Sequence, residues 1–320
     1  MFVFIDVGVT HEAEDGAIVD PLLQDLDEER HQILQESKAP LTIKPYKISY
    51  EKWVGWAAQF DEVQVMPANS LHIGLYVTYL AKNANSYSTI NQACASIAWA
   101  HRIAGFESPT KNVQFVELLS GLKRRLAKPR EPKEPFELLH IKSLIDRIDF
   151  SSITDVRNTL LIVLAFYAFL RVSELIDILW SDILITEEYL QLYIAKSKSD
   201  QLRDGNTVVI ARLGGKYCPI ALFDYYIKIA CKSITDTDYL FCKICLVKGK
   251  RCLKHNQCMS YSNIRDIVKS KADQIGLISA NFSTHSMRAG GSLWRQTAVS
   301  WIGCFKDMGA GNQCNPRMLM

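Results

Sequence analysis

FSTHSMRAGG, residues 282–291, carries the most information in the chain. His285 and Arg288 stand three residues apart at a predicted helix start, which puts them on one face, and Ser283 or Thr284 supplies a capping oxygen. Working upstream, LRVSEL (Leu170 to Leu175) follows a continuously apolar helix containing Leu160 to Phe169. An arginine behind so apolar a segment is costly to bury alone, so Arg171 is expected to meet an anion or Glu174. Between the two lies IAKSKSDQLRDGNTVVI, residues 194–210, which reads as strand, turn and strand, with Asp204-Gly205-Asn206 as turn chemistry.

The rest of the chain organises around these pieces. Tyr50, Trp53, Val54, Ala57 and Phe60 recur at helical spacing, and similar stripes run through Leu71 to Leu80, Ile90 to Ile103 and Val113 to Leu126. The expectation is a small all-α domain over residues 38–127, whose last helix ends in the basic run Lys123, Arg124, Arg125 and Lys128. That run suits DNA, and a solvated helix face explains it equally well. KPREPKEP, residues 128–135, has Pro129, Pro132 and Pro135 at every third position and is predicted to be a semi-rigid linker. From residue 136 to 320 a second domain is expected. Helices are predicted at Phe136 to Ile148, Val156 to Phe169, Ile220 to Ala230, Ser260 to Ile275 and from Met287; short strands are predicted at Ile183 to Ile185, Leu190 to Ala195 and Thr207 to Ala211. The fold class is mainly α with a small antiparallel β-sheet.

Charge is distributed unevenly. Residues 1–37 hold ten acidic residues and one basic residue, Arg30, and read as an acidic flexible tail with one helix near Leu22 to Gln35. The remaining 283 residues carry 36 Lys and Arg against 24 Asp and Glu, an excess of +12 that suits a binder of phosphate backbones. No apolar run approaches the roughly 20 residues needed to cross a bilayer, and the opening MFVFIDVGV lacks a basic flank. The reading is of an unsecreted protein without membrane contact, nuclear if eukaryotic and otherwise cytoplasmic. Nine scattered cysteines fit reduced thiols better than a disulfide framework.

Together the three motifs resemble the tyrosine recombinase (phage integrase) family, over nearly everything from residue 40 onward. The resemblance implies a helical core-binding (SAM-like) domain and a recombinase catalytic domain, the two halves of a clamp on double-stranded DNA. It implies that Arg171 and Arg288 grip the scissile phosphate, with Glu174 supporting the site from behind. His285 would transfer a proton or hydrogen-bond the phosphate. Lys198, with Lys196 the nearer alternative, would protonate the leaving 5′ oxygen from the hairpin. Two guanidinium groups, a lysine and a histidine suit the charge that develops on a phosphorane, so neither metal nor other cofactor is implied. Intact relatives act as tetramers on DNA; this chain is expected to remain monomeric.

The departure from the family is the nucleophile. Relatives attack with a tyrosine beyond the His-x-x-Arg element, whereas the last tyrosine here is Tyr261, upstream of it. The sequence as given is therefore expected to form no 3′-phosphotyrosyl intermediate, which leaves a catalytically incomplete member or a non-catalytic DNA-binding protein retaining the fold. VSWIGCFKDMG, residues 299–309, still resembles the family's final helices. AGNQCNPRMLM, residues 310–320, can be back-translated so that a frame one base earlier reads GWKSMQSKNAY, with tryptophan and tyrosine beside positions 311 and 320. A frameshifted or truncated C-terminus is the expectation, and a divergent native tail the alternative.

One stretch competes. CKICLVKGKRCLKHNQC holds Cys242, Cys245, Cys252, His255 and Cys258, ligand-like types for zinc, but the six-residue gap between its two halves matches none of the common finger spacings. It is expected to be a loop without metal.

Overall fold

The structure is a computed structural model that describes residues 19–129, 131–195, 205–247 and 249–307, with side chains to residue 296. The chain divides into two compact units, Met1–Arg130 and Glu131–Met320.

In the first unit, α1 (Pro21–Glu36) starts on Asp20, whose carboxylate accepts from the Leu22 and Leu23 N–H groups. It buries no residue, and Leu22, Leu26 and Ile33 stay exposed. The core comes from α2 (Pro40–Ala57), α3 (Ser70–Asn83), α4 (Tyr87–Ile103) and α5 (Val113–Arg125). Their apolar stripes meet at Trp53, Ile73, Tyr76, Ile97 and Phe115. Phe60 departs from expectation: α2 ends at Ala57, so its stripe stops there and the ring is 46% exposed. His101 is a satisfied core group, with Nε2 accepting from the Ala68 N–H at 2.8 Å and Nδ1 donating to the Ile97 carbonyl. Burial lowers its pKa.

In the second unit, α7 (Ile153–Tyr167) is apolar on every side and buries a continuous run from Leu160 to Phe166, as a central helix must. Around it stand α6 (Leu138–Asp146), α8 (Val172–Asp177), α9 (Pro219–Ala230), α10 (Tyr261–Gln274) and α11 (Thr284–Asp307). A three-stranded antiparallel sheet runs in the order β1 (Ile183–Ile185), β2 (Tyr189–Ile194), β3 (Asn206–Ala211). Leu190 and Leu192 face the core opposite Ile210 and Val208, while Gln191 and Tyr193 point away, the period-two pattern of a half-buried sheet.

One expectation is corrected. Residues 242–258 are not a loop but a second antiparallel sheet, β4 (Cys242–Val247) paired with β5 (Lys250–Cys258). The last residues of the 128–135 stretch are fastened to the second unit. Glu134 N–H donates to the Asn281 carbonyl, Lys133 Nζ to the Ala280 carbonyl and Phe136 N–H to the Ser286 carbonyl. Among the described residues no helix is long and apolar enough to cross a membrane.

Candidate nucleic-acid interface

The site begins where α7 stops. Ala168 closes the helix, Phe169 takes a left-handed φ of 53°, and the Leu170 N–H returns to the Ala165 carbonyl at 3.2 Å. This is a Schellman stop with phenylalanine where glycine is usual, and buried Leu170 pins it. Arg171 therefore follows the apolar helix, as the sequence suggested, and stands as the N-cap residue of α8. Glu174, one turn later, reaches back so that Oε2 accepts the Arg171 backbone N–H and Oε1 the guanidinium, both at 2.7 Å.

Arg288 arrives from the far end of the unit. Ser283 caps α11, its hydroxyl accepting the His285 N–H, while the Ser286 hydroxyl accepts the Ser283 N–H. Of the two caps the sequence left open, Ser283 is the one used; Thr284 is buried and pairs with the Tyr261 hydroxyl at 3.0 Å. The two glycines of FSTHSMRAGG explain how α11 comes so close. A Cβ on Gly290 would overlap the Phe136 carbonyl, and one on Gly291 the Phe166 carbonyl of α7. With both helices in near-backbone contact, Arg288 Nη1 stands 3.5 Å from Glu174 Oε2.

The result is a buried carboxylate, 6% exposed, shared by two guanidinium groups that are 29% and 35% exposed. The pair is held from beneath and open from above, which is how an anion would approach it. His285 is exposed on the same first turn of α11. Lys198 and Lys196 lie outside the described residues, but β2 leads toward them. A cavity lined by Glu174 and Asp177 is also lined by Tyr193, Ile194 and Ala195, the last residues before Lys196.

Elsewhere the candidates are less organised. Lys123, Arg124, Arg125 and Lys128 are exposed in or just beyond the last turn of α5, where a helix dipole already favours cations. The cysteine-rich stretch does not converge on a metal. Cys242 and His255 both bind the Asp238 carboxylate, whereas Cys245 and Cys252 face each other across the strands. Burial, and then its bond to Asp238, pushes the Cys242 thiol up to about 12, against the thiolate that zinc requires. Among the described residues no three His, Cys, Asp or Glu groups could hold a metal ion. Asp238 itself went unnoticed in the sequence. It is 1% exposed and gathers Lys232, His255 and the Asn256 N–H.

The phage integrase family model matches residues 137–296, half of the chain and the stretch that contains Arg171, Glu174, His285 and Arg288. The chain belongs to the phage integrase family. This integrase-family chain is 28% identical over 265 residues to an integrase/recombinase xerD homolog of Selenomonas ruminantium, covering 80% of the chain and 74% of that protein. Among solved structures it is similar to the XerH site-specific recombinase bound to palindromic difH substrate. The TM-score there is 0.55 at 13% identity, over 85% of this chain and 74% of that one. It is also similar to the Tn1549 transposon integrase in complex with transposon right end DNA, with TM-score 0.51 at 15% identity over 86% and 85%. At these identities the structural likeness establishes the two-domain recombinase fold, mainly helical with small antiparallel sheets.

Proposed function

We propose that this integrase-family chain binds double-stranded DNA and closes Arg171 and Arg288 on one backbone phosphate, the binding step of site-specific recombination and integration. The observation that carries this reading is the Glu174 carboxylate shared by two partly exposed guanidinium groups that are 117 positions apart in the chain. Holding both cations in place before DNA arrives removes the ordering cost at the moment of binding. Glu174 sets their spacing. His285 hydrogen-bonds the phosphate or passes a proton, and Lys198 protonates the leaving 5′ oxygen. In intact relatives, as the family resemblance implies, strand cleavage proceeds through a 3′-phosphotyrosyl intermediate.

The sequence contains no tyrosine after Tyr261, which favours a second reading for the 320-residue polypeptide: a DNA-binding protein that retains the fold without the nucleophile. Tyr261 sits at the start of α10 with its hydroxyl on Thr284, the neighbour of His285, so it must be tested directly. Incubation with duplex DNA followed by a denaturing gel distinguishes the readings. The expected result is a non-covalent complex and no adduct. An adduct that survives denaturant and disappears in Tyr261→Phe would overturn the second reading and make Tyr261 the nucleophile.

A further inference from the structure

The β4–β5 ribbon concentrates unpaired cations in the second unit. From Tyr239 to Arg265 the chain contains no acidic residue, and the ribbon itself carries Lys243, Lys248, Lys250, Arg251 and Lys254. Lys243, Lys250, Arg251 and Lys254 are exposed, and among the described residues none of these four forms an ion pair. Arg212, Lys216, Lys232 and Lys271, on neighbouring elements, each hold a carboxylate. Crowding like charges on two paired strands is unfavourable in the isolated protein. The ribbon therefore lacks its counter-charge.

Its base is fixed while its tip is bare. Asp238 accepts from His255 and from the Asn256 N–H at 2.8 Å each, the Arg157 guanidinium donates to the Cys242 carbonyl at 2.6 Å, and the Met259 N–H donates to the Phe241 carbonyl. Beyond that anchorage, Val247 pairs with Lys250 and Leu246 with Arg251, and Leu246 is 69% exposed. Lys250 to Lys254 spans about 13 Å at the rise of a strand. One DNA strand presents a phosphate every ~3.4 Å of axis, so several fall within that reach. A two-stranded ribbon is also of a width that a duplex groove admits.

We propose that the β4–β5 ribbon is a second DNA contact, its Lys250, Arg251 and Lys254 lying on backbone phosphates other than the one taken by Arg171 and Arg288. This rests on the DNA-binding reading above and extends it to a surface outside the arginine junction. The contact is with phosphate alone, so it adds affinity without choosing sequence.

The test is fluorescence anisotropy of the full 320-residue chain on a random-sequence duplex at several salt concentrations. It compares the parent, the ribbon variant Lys250→Gln/Arg251→Gln/Lys254→Gln, and a control, Lys216→Gln/Lys228→Gln/Lys269→Gln, that removes three other exposed cations of the same unit. All the altered ribbon side chains are exposed, so thermal melting should stay at the parent value. Three lost phosphate contacts should make the slope of log K against log salt shallower by about 2.7 in the ribbon variant, with affinity at least tenfold weaker at low salt. The control should keep the parent slope. Equal slopes for parent and ribbon variant, or equal losses in the ribbon variant and the control, would overturn the proposal. A parent that does not bind duplex at any salt would instead overturn the DNA-binding reading on which it rests.

Discussion

Two buried carboxylates organise the second unit, and they do so to different ends. Asp238 accepts from Lys232, His255, the Cys242 thiol and the Asn256 backbone N–H. Its partners lie within 18 residues of it, on the hairpin and just past the end of α9, and its oxygens are taken up by them. Glu174 instead joins two forked cations from α8 and α11, each open to solvent on one side. A carboxylate enclosed by backbone and thiol donors is a staple. One that spaces two guanidinium groups at a surface is, on the DNA-binding reading proposed above, a mount for a second anion. Residue type alone does not distinguish the two; the origins of their partners do.

The sharpest way to break this picture is to keep the mount from forming. Gly291→Ala places a methyl against the Phe166 carbonyl, so α11 must move, and the expected loss is about 3 kcal/mol or more by urea denaturation. A loss under about 1 kcal/mol would mean that the helices do not approach as described.

Asp238→Asn should cost about 2–3 kcal/mol, because Lys232 and His255 lose their shared charge and the hairpin its anchor. Burial by itself raises the Asp238 carboxyl, but the bonds from Lys232, His255, Asn256 and Cys242 together hold it far below the usual carboxylate range. A depressed folded pKa contributes stability that is fully present above the unfolded value near 4 and is lost as pH falls below it. Urea titrations between pH 6 and pH 3 should therefore show a decline in the parent that is smaller in Asp238→Asn. Parallel curves would contradict the staple.

Glu174→Gln is expected to have a smaller effect on stability, about 1–2 kcal/mol, since both arginines can turn to water. Its larger effect should be on DNA. Without the shared carboxylate the guanidinium groups lose their spacing, and duplex affinity should fall even though the local positive charge has risen. Tighter binding would mean that charge alone, and not placement, governs the site.

Much of the architecture was legible because it follows simple periodicities. The stripe of Ile90 to Ile103 and the alternation of Leu190, Leu192 and Ile194 announce α4 and β2 directly. The ribbon was missed for a physical reason. Five cations and four cysteines in 17 residues give no apolar alternation, and the strands depend on tertiary anchors at Asp238 and Arg157 that are remote in sequence or unremarkable by type. The stop at Phe169 was hidden likewise, since no glycine marks the left-handed residue. At the site, His285, Arg288, Arg171 and Glu174 were visible from residue type and order. That one carboxylate serves both arginines was not, because it depends on the close approach that Gly290 and Gly291 allow.

The account turns on Arg288 contacting phosphate rather than maintaining the fold. Among the described residues its side chain's only hydrogen bond is the 3.5 Å one to Glu174, and Glu174 keeps Arg171 when Arg288 is removed. The decisive measurement is the salt dependence of duplex binding for the parent and Arg288→Gln, with thermal melting of both. The prediction is a slope shallower by about 0.9, one phosphate, with stability changed by less than about 1 kcal/mol. An unchanged slope, or a stability loss of several kcal/mol in the variant, would contradict it.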